Sequence, residues 1–97
     1  MATNQKSVCL NVEFPPMYRA LSAVIELNEG ASVTEDMRAA SLIIVDDEER
    51  GRILEKYFPE TPIIVYLPRC RAMKREGNIA LAGTKEMMDL LFSHLKG

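Results

Sequence analysis

The 97-residue sequence lacks most of what builds disulfide-bonded, membrane or secreted proteins. It has two cysteines, Cys9 and Cys70, and a small secreted domain held by disulfides would carry more. Its longest apolar runs are about five residues, whereas a membrane-spanning helix takes about 20. The first residues are polar and contain no apolar targeting segment. We therefore expect a cytoplasmic domain.

Motifs that carry chemistry are equally scarce. His94 is the only histidine, so neither a zinc site nor a histidine-dependent nucleophile is predicted. The five glycines form no phosphate-binding loop pattern. The formal charge of -2 argues against a general nucleic-acid binder, which carries a basic surplus. The sequence thus predicts no enzyme, no metal and no cofactor, and a protein rather than a nucleic acid or membrane as partner.

The sequence does contain an alternation of strand and helix patterns. Continuous apolar runs are typical of parallel strands covered on both faces. Such runs predict four strands at 8–12, 42–45, 63–67 and 79–82. Periodic segments between them predict helices at 16–28, 46–58 and 84–95, with a short basic helix over 69–75.

The segment 31–34 is ambiguous between a strand and a loop. Only the seven residues 35–41, with one predicted helical turn, separate it from the next strand, and a parallel crossover usually needs about a dozen. We therefore predict an irregular edge segment there, or no strand. Residues 1–6 are predicted to be a disordered lead. The whole chain, 1–97, is predicted to be one α/β domain with three α-β-α layers and a mainly parallel sheet of four or five strands.

The best candidate site lies where the predicted strands end. In open parallel sheets, ligands bind beyond the carboxyl ends of the strands. Those ends carry Glu13, Asp46 with Asp47, and Lys85. An aspartate there can bind Mg²⁺ or accept a phosphoryl group, given a second acid and a nearby cation. The competing interpretation, which we favour, makes Asp46 the N-cap of the next helix, with Glu49 completing a capping box.

A second candidate is a partner surface at the end of the chain. The last helix has a wider apolar stripe than a helix on a small sheet needs, so the stripe is either core or an interface. The nearby basic stretch is either a solvated face, which we favour, or a contact for a phosphate, an acidic partner or a nucleic acid. The predicted contact residues are Met87, Leu90, Leu91 and Phe92 of the helix and Arg69 and Arg71 of the basic stretch.

Three segments resemble the second half of response-regulator receiver domains: SLIIVDDEE, FPETPIIVYLP and IALAGTKEMMDLL. The resemblance implies a flavodoxin- or receiver-like fold, with Asp46 as the phosphoacceptor and Lys85 as the family's lysine. The chain departs from the family at four points. Glu13 stands alone where an acidic pair is expected, and the fourth strand does not end in serine or threonine. No proline follows Lys85, and the second strand and helix look truncated. These departures indicate a degenerate, or pseudo-, receiver.

Pseudo-receivers act through protein contacts. The resemblance therefore implies a regulatory or dimerisation module in signal transduction or transcription, binding a protein partner or a second copy through its C-terminal helix. One alternative is a working receiver that accepts a phosphoryl group at Asp46 beside Lys85. Another rests on LIIVDDEERGRIL followed by PIIVYLP, which is similar to the small central-stalk F subunit of rotary ATPases, a structural protein.

Overall fold

The computed structural model describes residues 6–96, in which strands and helices largely alternate. Residues 1–5 of the predicted disordered lead lie outside the described residues, and the assignment of Lys6 to that lead was wrong, because Lys6 begins the first strand. The strands are β1 (Lys6–Asn11), β2 (Ala31–Thr34), β3 (Leu42–Val45), β4 (Ile63–Tyr66), β5 (Lys74–Glu76) and β6 (Ile79–Ala82). The α-helices are α1 (Pro15–Glu26), α2 (Glu48–Tyr57) and α3 (Thr84–Lys96), and a 3₁₀ turn spans Met37–Ala39. Within 6–96, none of the helices is long and apolar enough to cross a membrane.

The six strands form one sheet in the order β2-β1-β3-β4-β6-β5. All neighbouring strands are parallel except β5, which runs antiparallel to β6 at one edge. Helices α1 and α3 pack on one face of the sheet and α2 packs on the other. The three-layer α/β prediction is therefore confirmed, with more strands than the four or five predicted.

The long apolar runs are buried because the sheet is covered on both faces. In β3, Ile44 faces α1 and α3 while Ile43 faces the α2 side, and both are fully buried. Alternate residues of a strand point to opposite faces, so a strand between two layers must be apolar throughout. On the α2 side Gly51 permits close approach, because a Cβ there would lie 2.6 Å from Cγ2 of Val65.

The prediction that 31–34 is irregular was wrong, since these residues form β2. Strand β2 pairs with β1, not with β3, so the connection 35–41 crosses over β1. A 3₁₀ turn makes this crossing in fewer residues than an α-helix would. The chain then joins β3 through Ser41, whose amide donates to the Ser7 carbonyl at 2.6 Å. The dozen-residue expectation applies to crossovers that contain a full helix.

The predicted basic helix over 69–75 was also wrong. Residues 69–73 are turns and irregular backbone, and the last two residues of the stretch, Lys74 and Arg75, belong to β5. A tight turn at Gly77 and Asn78 joins β5 to β6. Gly77 has φ +58°, a left-handed conformation that glycine adopts without strain. The Asn78 side chain donates to the carbonyls of Phe58 and Thr61 at 2.9 and 2.7 Å. These bonds fasten the hairpin to the end of α2 and favour a strand over a helix.

Candidate functional site

The carboxyl ends of β1, β3, β4 and β6 meet at one edge of the sheet, as the parallel register requires. Asn11 lies opposite Val45, and Tyr66 lies opposite Ala82. The loops that follow these strands carry the predicted acidic and basic residues. We refer to this region as the carboxyl edge.

Asp46 is the centre of the carboxyl edge, and both of its oxygens are occupied. Its Oδ2 accepts a hydrogen bond from the Glu13 amide at 2.9 Å, and its Oδ1 accepts one from Arg50 at 2.5 Å. The other terminal nitrogen of Arg50 lies 3.0 Å from Oε1 of Glu13. The guanidinium thus bridges the two carboxylates. We call this three-residue arrangement the arginine latch.

The latch limits what Asp46 can do chemically. Its side chain is 20% exposed, whereas that of Glu13 is 81% exposed, so the Asp46 pair is the better shielded from water. Mg²⁺ or a phosphoryl group would have to displace, or compete with, the two donors and the neutralising cation that Asp46 already has. Among residues 6–96, no cluster of three metal-ligating side chains occurs.

Asp47, not Asp46, caps helix α2. Its carboxylate accepts a hydrogen bond from the Glu49 amide at 3.0 Å, and the helix begins at Glu48. The predicted N-cap role of Asp46 was therefore wrong by one residue. The shift matters because it releases the Asp46 side chain to pair with Arg50, one helical turn further along.

Lys85 lies at the same edge but outside the latch. It is exposed in the first turn of α3, and no ion pair found between residues 6 and 96 joins it to Asp46. The preceding residue, Thr84, shares a 2.8 Å hydrogen bond with the hydroxyl of Tyr66. The structure thus brings Asp46 and Glu13 together through Arg50 and leaves Lys85 in solvent.

An apolar cavity of about 280 Å³ opens at the carboxyl edge. Its lining residues are Val12, Phe14, Met17, Asp46, Tyr66 and Pro68. Phe14 is 61% exposed at its mouth. A larger cavity of about 380 Å³ lies at the other end of the strands, where β3, β4 and β6 begin, between the β5–β6 hairpin and the end of α3.

The predicted partner surface on α3 is only partly available. Met87 and Leu91 are fully buried against the sheet, so their assignment to a contact surface was wrong. They lie on the core face because four-residue spacing keeps them in line on the helix. Leu90 is partly buried, and Phe92 is 40% exposed. Only the outer part of the stripe can reach a partner.

The basic stretch sits near the start of α3. Arg69 and Arg71 are exposed. Between them, Cys70 packs closely on Gly83, because a Cβ added to Gly83 would lie 2.6 Å from the Cys70 carbonyl oxygen. Phe92 comes eight residues after Thr84, a rise of about 12 Å along the helix. The basic and apolar parts of the predicted surface are therefore separated along α3.

Two polar pairs were missed by the sequence analysis. One is Asp46 with Arg50, whose four-residue spacing was a usable signal. The other is His94 with Ser41, in which Nε2 of His94 lies 2.8 Å from Oγ of Ser41. Burial, with a smaller contribution from Lys6, lowers the pKa of His94. No sequence signal marks this pair, because 53 residues separate its members.

Comparison of the chain with protein-family models, curated proteins and solved structures finds no match in any of the three. A function for this chain therefore has to be inferred from its own geometry.

Proposed function

We propose that this chain is a non-catalytic, receiver-like protein-interaction module. In it, the guanidinium of Arg50 occupies the acidic side chains of the carboxyl edge, so that Asp46 is not phosphorylated. The observation that carries the proposal is the arginine latch. In a site that accepts phosphoryl groups, Mg²⁺ would be held by acidic side chains around the acceptor. Here the chain supplies its own cation to Asp46 and Glu13.

The order of the strands supports the receiver-like part of the proposal. The five parallel strands follow the order β2-β1-β3-β4-β6. This is the doubly wound order 2-1-3-4-5 of flavodoxin-like folds, in which Asp46 follows the central strand. Along the chain, β5 comes between β4 and β6, where such a fold would have a further helix. We infer a shortened version of that fold in a cytoplasmic protein.

The contact surface of the module is the outer face of α3. Phe92 is the most exposed apolar side chain of this helix. Leu90, two residues earlier, points to a different side of the helix and is partly buried. Removing an apolar side chain from water at an interface is favourable, and aromatic residues are enriched in interfaces. A protein partner or a second copy of the chain would bury it.

The chemical half of the proposal is tested by NMR. Amide shifts of the isotopically labelled protein are followed on addition of Mg²⁺ and beryllofluoride, which mimics a phosphorylated aspartate. We expect no saturable shift at Asp46 or Lys85. Saturable shifts there, with acetyl phosphate labelling that is lost in Asp46→Ala, would establish a working receiver and refute the proposal.

A pair of matched variants tests the latch itself. Arg50→Met frees the Asp46 carboxylate, while Arg52→Met removes the same charge from the same helix but disrupts only pairs with Glu48 and Glu76. We expect Mg²⁺ to shift the Asp46 amide in the first variant alone. Equal responses from both variants would show that Arg50 does not block the site.

The contact half of the proposal is tested with Phe92→Glu. Sedimentation across a wide concentration range and partner binding are compared with the parent protein. Leu91→Glu is unsuitable because Leu91 is fully buried and the charge would unfold the domain. An unchanged oligomeric state and unchanged partner binding would exclude this surface. Stable co-purification with a large ATPase ring would instead favour the stalk-subunit alternative.

A further inference from the structure

The two outermost strands of the sheet, β5 and β2, differ in how their unpaired sides are protected. Edge strands expose unpaired backbone groups, and proteins commonly guard them with charged side chains. At one edge, β5 has the sequence Lys74, Arg75 and Glu76, and all three residues are exposed. At the other edge, β2 has the sequence Ala31, Ser32, Val33 and Thr34, with no charge. Only the β5 edge is guarded in this way.

The outer side of β2 has backbone groups available for pairing. The Lys6 amide donates to the Gly30 carbonyl at 2.7 Å, so Gly30 points toward β1. Backbone groups alternate in direction along a strand, so those of Ser32 and Thr34 also point toward β1. The N–H and C=O of Val33 then point away from β1, toward the unpaired side of the edge strand. Among residues 6–96, no strand pairs with this side.

Acidic residues flank this open edge at both ends. Residues 26–36 contain four acidic residues and no basic one. Glu29 precedes β2, and Glu35 and Asp36 follow it, all of them exposed. Burial raises the pKa of Cys9 on β1, and the carboxylates of Asp36 and Glu35 raise it further. The negative field of the flanking residues therefore reaches the neighbouring strand.

A second copy of β2 would be a poor occupant of this edge. Antiparallel pairing of two copies centred on Val33 would set Glu35 of each copy opposite Ala31 of the other and Asp36 opposite Gly30. Both carboxylates would then lie within two residues of Glu29 of the other copy, and like charges this close across a strand pair repel each other. A partner strand with basic residues at both ends would meet acidic residues at both ends instead.

We propose that the β2 edge binds an extended, basic segment of a protein partner by antiparallel strand addition. Backbone hydrogen bonds to Val33 would supply affinity, and Lys or Arg side chains close to Glu29, Glu35 and Asp36 would supply specificity. This inference deepens the proposed function, since it assumes an interaction module and names the chemistry of a partner. It uses a surface distinct from α3, so either surface can fail while the other remains.

The test uses two synthetic peptides with the same strand-forming centre, KRVTVTVRK and EEVTVTVEE, titrated into the labelled protein. We expect saturable amide shifts confined to residues 31–35 with the basic peptide, and slower hydrogen exchange of the Val33 amide. The acidic peptide should bind at least about tenfold more weakly. N-methylation of the central valine of the basic peptide should abolish binding, because it removes a backbone donor.

Charge-reversed variants complete the test. Glu29→Lys with Glu35→Lys should reverse the preference and favour the acidic peptide. Glu60→Lys with Asp89→Lys, an equal change of charge at exposed sites outside β2, should leave the preference unchanged. The proposal is overturned if both peptides bind equally, if neither binds, if shifts cluster on α3, or if β2 self-associates without peptide. Each of these results leaves the Mg²⁺ and beryllofluoride test of the latch unaffected.

Discussion

Gly51→Ala should destabilise the protein even though alanine is the better helix former. In a helix interior the exchange alone would gain about 1 kcal/mol. The added Cβ, however, would lie 2.6 Å from Cγ2 of Val65 and 3.3 Å from Cγ2 of Val45. Both valines are fully buried, so neither can turn toward solvent. Overpacking a core costs about 1–3 kcal/mol, and a contact this short places the cost near the upper end. We expect a net loss of about 1–2 kcal/mol.

The sign of the effect should reverse when Val65 is shortened. Val65→Ala alone should cost about 2–3 kcal/mol through lost burial and the cavity it leaves. In that background the 2.6 Å contact is gone, and Val45 has only to move by a few tenths of an ångström. Gly51→Ala should then stabilise the protein by about 0.5–1 kcal/mol through its helix propensity. The two substitutions should therefore be strongly non-additive.

Urea unfolding of the four proteins, followed by circular dichroism, measures this cycle. Comparing Ile53→Ala with Ile53→Gly provides the control, because Ile53 is a half-exposed position in the middle of the same helix and reports propensity with little overpacking. Equal effects of Gly51→Ala in both backgrounds would refute the reasoning, as would a stabilised single variant. Either result would mean that α2 does not lie as close to β4 as described.

Three further predictions concern polar and titratable groups. Burial lowers the pKa of His94 in the folded state, so the unfolded state takes up the proton first as the pH falls. The free energy of unfolding should therefore decrease as the pH drops below 6.5, the ordinary pKa of histidine. In urea titrations at several pH values, His94→Gln should flatten this dependence. Burial raises the pKa of Cys9, so a thiol reagent near neutral pH should label Cys70 quickly and Cys9 only in urea; equal rates would contradict the burial of Cys9. Asp46→Asn should cost about 1–2 kcal/mol of unfolding free energy and Glu13→Gln under about 0.5, because only the first carboxylate is shielded from water; equal losses would refute the ranking.

The main elements of the fold could be predicted from local patterns. The runs at β3, β4 and β6 are continuous and apolar, so they indicate strands buried on both faces wherever their partners lie. The three α-helices have periodic apolar faces and clear end signals, including Pro15 and Pro16 in the first turn of α1. Their existence and order therefore followed from residues close together in the chain.

The edges of the sheet could not be predicted in the same way. Strand β2 exists because β1 offers it a parallel partner across the full four residues. Strand β5 exists because the Gly77 turn is held by Asn78 against the end of α2. A short, weakly patterned segment adopts whichever structure its neighbours complete, so its conformation depends on tertiary contacts.

The candidate site shows the same division between local pattern and tertiary structure. The positions of Asp46 and Glu13 could be predicted, because parallel strands align their carboxyl ends at one edge of the sheet. The bridge that Arg50 makes from Asp46 to Glu13 and the exposure of Lys85 depend instead on tertiary contacts. The start of α2 at Glu48 turns Arg50 toward the edge, and a change of one residue in a helix rotates a side chain by about 100°. The four-residue spacing of Asp46 and Arg50 is a local signal, but the packing of α2 on the sheet decides whether Arg50 also reaches Glu13, 37 residues away, and no local pattern encodes that contact.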